Sequence, residues 1–575
     1  MWQKKGYANI KVHSLDELRL AYAKAPSDIA IAYPLAQELV RLELHHEAIP
    51  VLLKISEACP ALLEPKVMLA QAFEKSNQHE AGLHWARQAL HLSAGNPYAL
   101  FFAASCLEKL GQLAEAAIFA EQLADKSGWE VKGLELLAHL HRISGHIEKS
   151  IAGYRQLFTY GVDANTYSNY LLLLMSSAEI SPPGFLREHQ KINELFNKTQ
   201  PLVLSRAYAA APRRIGFISA DLKTHVVAFF IEKLFELLGH EKFSLHAYST
   251  SNPDQDDEIT LGLRKHTAGW RSLYRVPAQA AAEQIAQDEI DILIDLSGHT
   301  GGNRMDILAH KPAPVIATWL GYLATTGLTA VDFRIVDAYT DPPGLTEAHH
   351  SEQLVRLAHS QWCYVPRATH PPVEGLAALR NGYITFGSVN SFAKISEASL
   401  KLWAQLLQQV SNSRLLIAAI PLGQPRQWVT EFFVRQGVAA TRLEFLGRTS
   451  LQDYMRNYRR IDIALDSFPY NGGTTTCDAL YMGVPVLTRA GQHSVARSGV
   501  SLMTSVGLPD WVAHSPEEFL AIGAHWAAHL PALAQLRAGL RQQFMASPLG
   551  NQALFAQDFE RVLHEMWQRK GRATA

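Results

Sequence analysis

Cysteine is scarce in this chain: Cys59, Cys106, Cys363 and Cys477 lie far apart over 575 residues and form no CxxC pair. That spacing excludes a zinc site or disulfide framework readable from sequence, and it fits a reducing compartment. Long apolar runs are missing as well. The richest, ALFFAASCL from Ala99 to Leu107, is half the roughly 18 residues a membrane span needs. The start, MWQKKGYANIKVHS, lacks the apolar core of a signal peptide. Net charge is close to nil, with 53 Lys+Arg against 54 Asp+Glu, so no phosphate-tracking surface is expected. These absences predict a cytoplasmic protein with no nucleic-acid and no membrane partner. What remains is ordinary globular material, 48% hydrophobic and 19% charged, long enough for two or more cores.

Residues 25–160 read as helices that repeat. The segments LHHEAIPVLL, NQHEAGLHWA, GQLAEAAIFA and GHIEKSIAGY align on Ala48, Ala81, Ala116 and Ser150, at spacings of 33, 35 and 34. That is the tetratricopeptide period. Twelve residues before each anchor stand Ala36, Leu69, Ala104 and Ala138, where a small side chain lets the second helix of a pair approach; Leu69 is the imperfect one. Such stacks leave a groove suited to an extended peptide. From Arg214 the texture changes to short apolar runs, RIGFIS, LHAYS, DILIDLSG, VIATWLG and FRIVD, then YITFGSV, RLLIAAI, LEFLG, DIALDS and VPVLT. Helix-like segments separate them, which predicts parallel sheets with crossover helices. The expected fold class is α plus α/β: a repeat arm over 1–178, a helical linker over 179–212, and two doubly wound, Rossmann-like domains over 213–370 and 371–550. A C-terminal helix over 551–575 is expected to return onto the catalytic unit. Ligands of such a pair sit in the cleft beyond the strands' carboxyl ends.

The stretch IDIALDSFPYNGGTTTCDALYMGVPVLTRAG, residues 461–491, carries the clearest chemistry. A strand runs into a glycine-bearing turn, and a helix opens on Thr474, Thr475 and Thr476. Gly472 and Gly473 let the backbone approach a ligand, and the first helical N–H groups have no partner inside the helix. That end therefore offers free donors and a positive dipole to an anion such as a diphosphate. Asp478, one turn in, is placed to accept ribose hydroxyls. Asn390 and Lys394, in TFGSVNSFAKIS, follow the strand that begins the same half. There the ammonium can neutralise a leaving diphosphate. In the first half, Asp221 and His225 follow RIGFIS, and His299 occupies a parallel place after DILIDLS. All three are titratable groups at cleft ends of strands.

Taken in order, RRIGFISADLKTH, ILIDLSGHTGGNR, KPAPVIATWLGYLATTG, FGSVNSFAKIS and DSFPYNGGTTTCDALYMGVP resemble the SPINDLY and O-linked N-acetylglucosamine transferase family. Its members join tetratricopeptide repeats to a two-domain glycosyltransferase-B unit. The resemblance implies that Lys394 contacts the diphosphate and that Thr474, Thr475 and Asp478 hold phosphate and ribose. It places His225 beside the donor sugar, makes Asp221 a candidate base, and assigns Leu320 and Gly321 to a sugar-side loop. The implied reaction is direct displacement with inversion, the base being Asp221, His225 or a phosphate oxygen. No cofactor or metal is expected. The one DxD string, Asp254-Gln255-Asp256, also reads as a polar loop capping a helix.

Three positions depart from the family's pattern: Leu323-Ala324 after WLGY, Gly473 in place of a histidine, and Tyr454 where relatives carry a histidine against the base. Tyr454 stays a nucleotide candidate because a phenol ring also stacks. The implied partners are protein acceptors along the arm and a UDP- or GDP-sugar. UDP-N-acetylglucosamine ranks first, GDP-fucose second and UDP-glucose third. Two other readings share the fold, a nucleotide-sugar epimerase and a repeat scaffold with a silent catalytic unit.

Overall fold

The computed structural model describes residues 14–204, 211, 213–238, 242–366, 370–447 and 449–574. Most of the N-terminal stretch read above for a signal peptide lies outside them. The chain divides into a helical unit ending at Tyr160 and a second unit that begins at Gly161.

Four helical hairpins make up most of the first unit. They are Ile29–Arg41 with His45–Ala58, Glu64–Lys75 with His79–Leu92, Pro97–Lys109 with Leu113–Ala124, and Glu130–Ile143 with Ile147–Leu157. Local chemistry starts several of them. The Asp28 and Asn96 side chains accept the N–H groups of Ala30 and Ala99, and Pro97 sits where a missing N–H costs nothing. Ala36, Leu69, Ala104 and Ala138 on the first helices are fully buried, as are Ala48, Ala116 and Ser150 on the second. Ser150 Oγ donates 2.6 Å to the carbonyl of Ala138, joining one anchor to the small residue twelve positions before it. Leu69 is also fully buried, so the larger side chain is accommodated rather than excluded.

The second unit holds two parallel sheets. The first contains β1 (Arg214–Ser219), β2 (Ser244–Ser249), β3 (Gly269–Ser272), β4 (Ile292–Asp295), β5 (Val315–Thr318), β6 (Phe333–Asp337) and β7 (Gln353–Leu357), in the order 3-2-1-4-5-6-7. The second contains β8 (Ile384–Ser388), β9 (Ser413–Ile417), β10 (Leu443–Phe445), β11 (Ile463–Leu465), β12 (Val486–Arg489) and β13 (Val512–Ala513), in the order 10-9-8-11-12-13. β4, β5, β6, β8 and β11 are buried at every position, because helices cover both faces of a parallel sheet. Strand order reverses between β1 and β4 and again between β8 and β11, and in open α/β sheets such switch points form the crevices where ligands bind.

Two differences from the sequence expectation stand out. β3, β7 and β13 are additional strands. The helix Ala164–Leu174, expected to end the repeat arm near 178, belongs to the second unit. Its residues are tied there: Ser168 Oγ lies 3.0 Å from His299 Nδ1, and the Tyr322 hydroxyl donates to the carbonyl of Leu171 at 3.1 Å. The long helix Gln552–Thr574 returns to the first sheet. Lys570 Nζ meets Asp332 at 2.7 Å, and Arg569 donates to the carbonyl of Leu354 on β7 at 3.2 Å.

Candidate active site

Each switch point brings its loops together from the residues upward. In the second half, β8 ends at Ser388 and its loop carries Asn390, whose amide is used at both ends. Asn390 Nδ2 donates to Asp466 Oδ1 at 3.3 Å and Ser467 Oγ at 3.1 Å, while Oδ1 accepts the Thr475 hydroxyl at 2.5 Å. Asn390 therefore braces the turn 467–473 against the helix that follows it. Lys394, four residues on, is half-buried and stands over the Tyr470 ring at 3.9 Å.

After β11 the chain turns through Ser467–Gly473 and enters the helix Thr474–Tyr481, with Gly473 at its N-cap. Gly472 is required by space: a Cβ there would stand 2.4 Å from Thr475 Oγ1 and 2.8 Å from Asn390 Oδ1. Gly473 is open, its nearest neighbour to such a Cβ being Trp362 Nε1 at 3.9 Å. Asp478 sits on the next turn of the helix, 7% exposed. Its Oδ1 accepts the Tyr364 hydroxyl at 2.5 Å and its Oδ2 the Tyr454 hydroxyl at 2.9 Å. The Tyr458 hydroxyl lies 2.8 Å from that of Tyr454 and donates to the carbonyl of Thr475 at 3.0 Å. Burial, followed by the Asp478 carboxylate, pushes Tyr364, Tyr454 and Tyr458 well up, so all three stay neutral donors.

Some of these groups border a cavity of about 450 Å³, which Asn390, Gly472, Gly473 and Tyr458 do not line. Thr474, Thr475, Asp478 and Tyr454 supply the polar wall from the second half, and Val226 and Phe229 close it from the first. Lys394 stands in the adjoining turn rather than on this wall.

In the first half, Ser219 ends β1 and its hydroxyl accepts the Asp221 N–H at 3.0 Å, bending the chain toward the cleft. Asp221 Oδ2 is 3.5 Å from His225 Nδ1, and His225 is 42% exposed in its side chain. Burial raises the Asp221 carboxyl, with His225 and then Lys223 opposing the shift. An acid paired with an exposed imidazole at a cleft edge can hold or move a proton.

His299 is corrected. It is fully buried, its Nδ1 faces Ser168 Oγ, and its Nε2 lies 2.7 Å from the carbonyl of Thr326. Burial holds it down at about 4, a neutral internal hydrogen-bonder with no nitrogen left for a donor. Leu320 and Gly321 form a tight strand-end turn. Leu320 takes a left-handed φ of 72°, and a Cβ on Gly321 would stand 1.9 Å from the carbonyl oxygen of Leu296. Leu323 and Ala324 are buried behind it. In the DxD string, Asp256 pairs with Arg264 and Asp254 lies in a one-turn helix capped by Asn252. Among the described residues no cluster of three or more His, Cys, Asp or Glu is placed to hold a metal.

Sequence reasoning passed over Tyr364 and Asp466. Tyr364 lies in the connection between the halves, outside any motif. Asp466 accepts the Gly472 N–H at 2.7 Å and the Thr488 hydroxyl at 2.8 Å, and its signal was its position directly before the turn.

Two doubly wound halves, each with its own switch point, define the glycosyltransferase-B architecture. Residues 190–366 and 375–559, more than half of the chain, match the model of glycosyl transferase family 41, and the chain belongs to that family. It is 35% identical over 413 residues to the probable UDP-N-acetylglucosamine–peptide N-acetylglucosaminyltransferase SPINDLY of Solanum lycopersicum, covering 70% of this chain and 44% of that protein. The protein of the same name from Oryza sativa is 37% identical over 415 residues, with 70% and 44% covered. The chain thus spans less than half the length of these relatives. A solved mutant O-GlcNAc transferase from Thermobaculum terrenum superposes with a TM-score of 0.81 at 27% identity, covering 89% of this chain and 98% of that one.

Proposed function

We propose that the chain is an inverting protein O-glycosyltransferase that moves a sugar from a nucleotide-sugar, UDP-N-acetylglucosamine first, to Ser or Thr hydroxyls of protein acceptors. The observation that carries this reading is the cavity whose wall combines the Thr474–Tyr481 helix end, Asp478 and residues of the opposite half. A nucleoside diphosphate fits it: hydroxyl and N–H donors for the diphosphate, a carboxylate for the ribose, and apolar side chains beside the base. The names of the relatives and of the structural neighbour support the same reading. The helical hairpins serve as a tetratricopeptide-type arm for acceptor peptides.

In the reaction the acceptor oxygen forms a bond to the anomeric carbon as the bond to the diphosphate breaks. The hydroxyl proton passes to Asp221, His225 or a phosphate oxygen. Lys394 and the helix end take up the departing negative charge, a load a divalent cation carries elsewhere. Among the described residues no helix is long and apolar enough to cross a membrane.

Incubation with UDP-N-acetylglucosamine, GDP-fucose or UDP-glucose plus lysate proteins, read by mass spectrometry, tests the proposal. Addition of one sugar mass to protein with one donor is expected. Nucleotide release without any protein product would instead point to an epimerase or hydrolase. His225→Ala is expected to lower kcat by about 10²-fold, the scale of a lost proton-handling group, with a far smaller change in nucleotide affinity. An effect confined to affinity makes His225 a binding group.

A further inference from the structure

The two halves carry the same short pattern. Asp291-Ile-Leu-Ile-Asp295 is followed six residues later by Gly301-Gly302, and Asp462-Ile-Ala-Leu-Asp466 is followed six residues later by Gly472-Gly473. The structure gives the matching residues matching partners. Asp291 Oδ2 accepts the N–H groups of Arg213 and Arg214 at 2.7 and 2.9 Å, where β1 begins. Asp462 accepts those of Ala378 and Thr385 at 2.9 and 2.8 Å, the latter on β8.

The second aspartates match more closely. Asp295 ends β4 and accepts the N–H groups of Ser297 at 3.1 Å and Gly298 at 2.7 Å, with the Thr318 hydroxyl of β5 at 3.3 Å. Asp466 follows β11 and accepts the N–H of Gly472 and the amide of Asn390, with the Thr488 hydroxyl of β12. Both stand at the switch point of their own sheet. Each shapes the loop that carries a glycine pair. In the first half that loop packs on Ala220, the residue before Asp221, since a Cβ on Gly302 would stand 2.6 Å from Ala220 Cβ.

Both carboxylates are held by hydrogen bonds, not by an ion pair. Asp295 and Asp466 are 2% and 4% exposed, and among the described residues no salt bridge joins either. Burial pushes both carboxyls up to about 6, and the charged group that opposes this at Asp466 is Lys394. A buried, unpaired carboxylate is ionised at neutral pH only at a cost to the folded state.

We propose that Asp295 and Asp466 are paired positioning residues, one per half: Asp466 sets the donor loop through Gly472 and Asn390, and Asp295 sets the facing loop 297–303 on the acceptor side. What the loops hold rests on the transferase reading above. The pairing itself does not.

The test compares Asp466→Asn and Asp295→Asn with the wild-type full chain in three measurements: Tm without ligand, affinity for UDP and GDP, and transfer kinetics. In Asp466→Asn nucleotide affinity is expected to fall about 10-fold or more, the scale of lost charge-assisted bonds, while Tm is unchanged or higher. In Asp295→Asn nucleotide affinity stays within about twofold and kcat falls about 10-fold or more, by more than the fraction unfolded at the assay temperature accounts for. Some loss of Tm is expected there, since the amide oxygen can serve only one of the Ser297 and Gly298 N–H groups. A Tm lowered in step with the loss of function makes the residues structural and overturns the proposal. Wild-type nucleotide affinity in Asp466→Asn, or an equal affinity loss in Asp295→Asn, overturns it as well. Should either variant fail to fold, Thr488→Val and Thr318→Val each remove one hydroxyl and must show the same split at smaller size. If neither nucleotide binds the wild-type chain, the transferase reading fails, and the Tm comparison alone keeps or removes the paired device.

Discussion

Lys394→Ala is expected to reduce transfer by at least about 10³-fold while Tm falls by no more than a few degrees and the far-UV spectrum stays at its wild-type shape. The size follows from the role proposed for the ammonium. A donor aimed at charge that develops only in the transition state contributes about 10²–10³-fold for a neutral hydrogen bond, and a full positive charge in a closed cleft contributes more. The stability part follows from its surroundings. Lys394 is half-buried and stands on the Tyr470 ring at 3.9 Å, so its loss forfeits that cation–π contact, about 0.5–1 kcal/mol, together with the positive charge that favours the ionised form of buried Asp466. Steady-state kinetics with the donor identified by the screen, alongside thermal melts, measures both. Transfer within tenfold of wild type would remove Lys394 from the diphosphate.

Gly472→Ala is the second large effect, and it arises from space rather than charge. The added methyl would meet Thr475 Oγ1 at 2.4 Å and Asn390 Oδ1 at 2.8 Å, the two atoms whose 2.5 Å hydrogen bond closes the donor turn. Overpacking of this kind costs about 1–3 kcal/mol, and here relief requires the Thr475–Asn390 bond to open. The donor KM is expected to rise about 10–100-fold, the conversion of that cost. Gly473→Ala provides the contrast. Its methyl meets nothing closer than 3.9 Å, so its effect on KM should be several-fold smaller. Equal effects at the two glycines would show that flexibility of the turn, and not room inside it, is what the site needs.

The strand–turn–helix at 461–481 was legible from sequence because local rules agree there: a short apolar run, paired glycines, then hydroxyls at a helix start. β3, β7 and β13 were not. Gly269–Ser272 reads GWRS with no apolar run, Gln353–Leu357 mixes Gln and Arg into its pattern, and Val512–Ala513 has only two residues. Neighbouring strands, not their own composition, hold them in place. His299 shows the opposite error. Its position after β4 pointed to the cleft, yet helix Ala164–Leu174 covers it with Ser168, a contact between residues 131 apart. Tyr364 was invisible for the same reason, since its partner Asp478 is 114 residues away. The repeated aspartate-to-glycine pattern was on the page throughout, but only the hydrogen bonds show that its two copies do the same thing.

The helix Gln552–Thr574 leaves the second sheet and completes the first, with Lys570 on Asp332 and Glu560 against Lys242 at 2.9 Å. Synthesis on the ribosome proceeds from the other direction. The half made first therefore waits, with its apolar helix faces uncovered, until the second half and this helix have emerged. Its maturation is tied to the pace of translation of some 200 later residues.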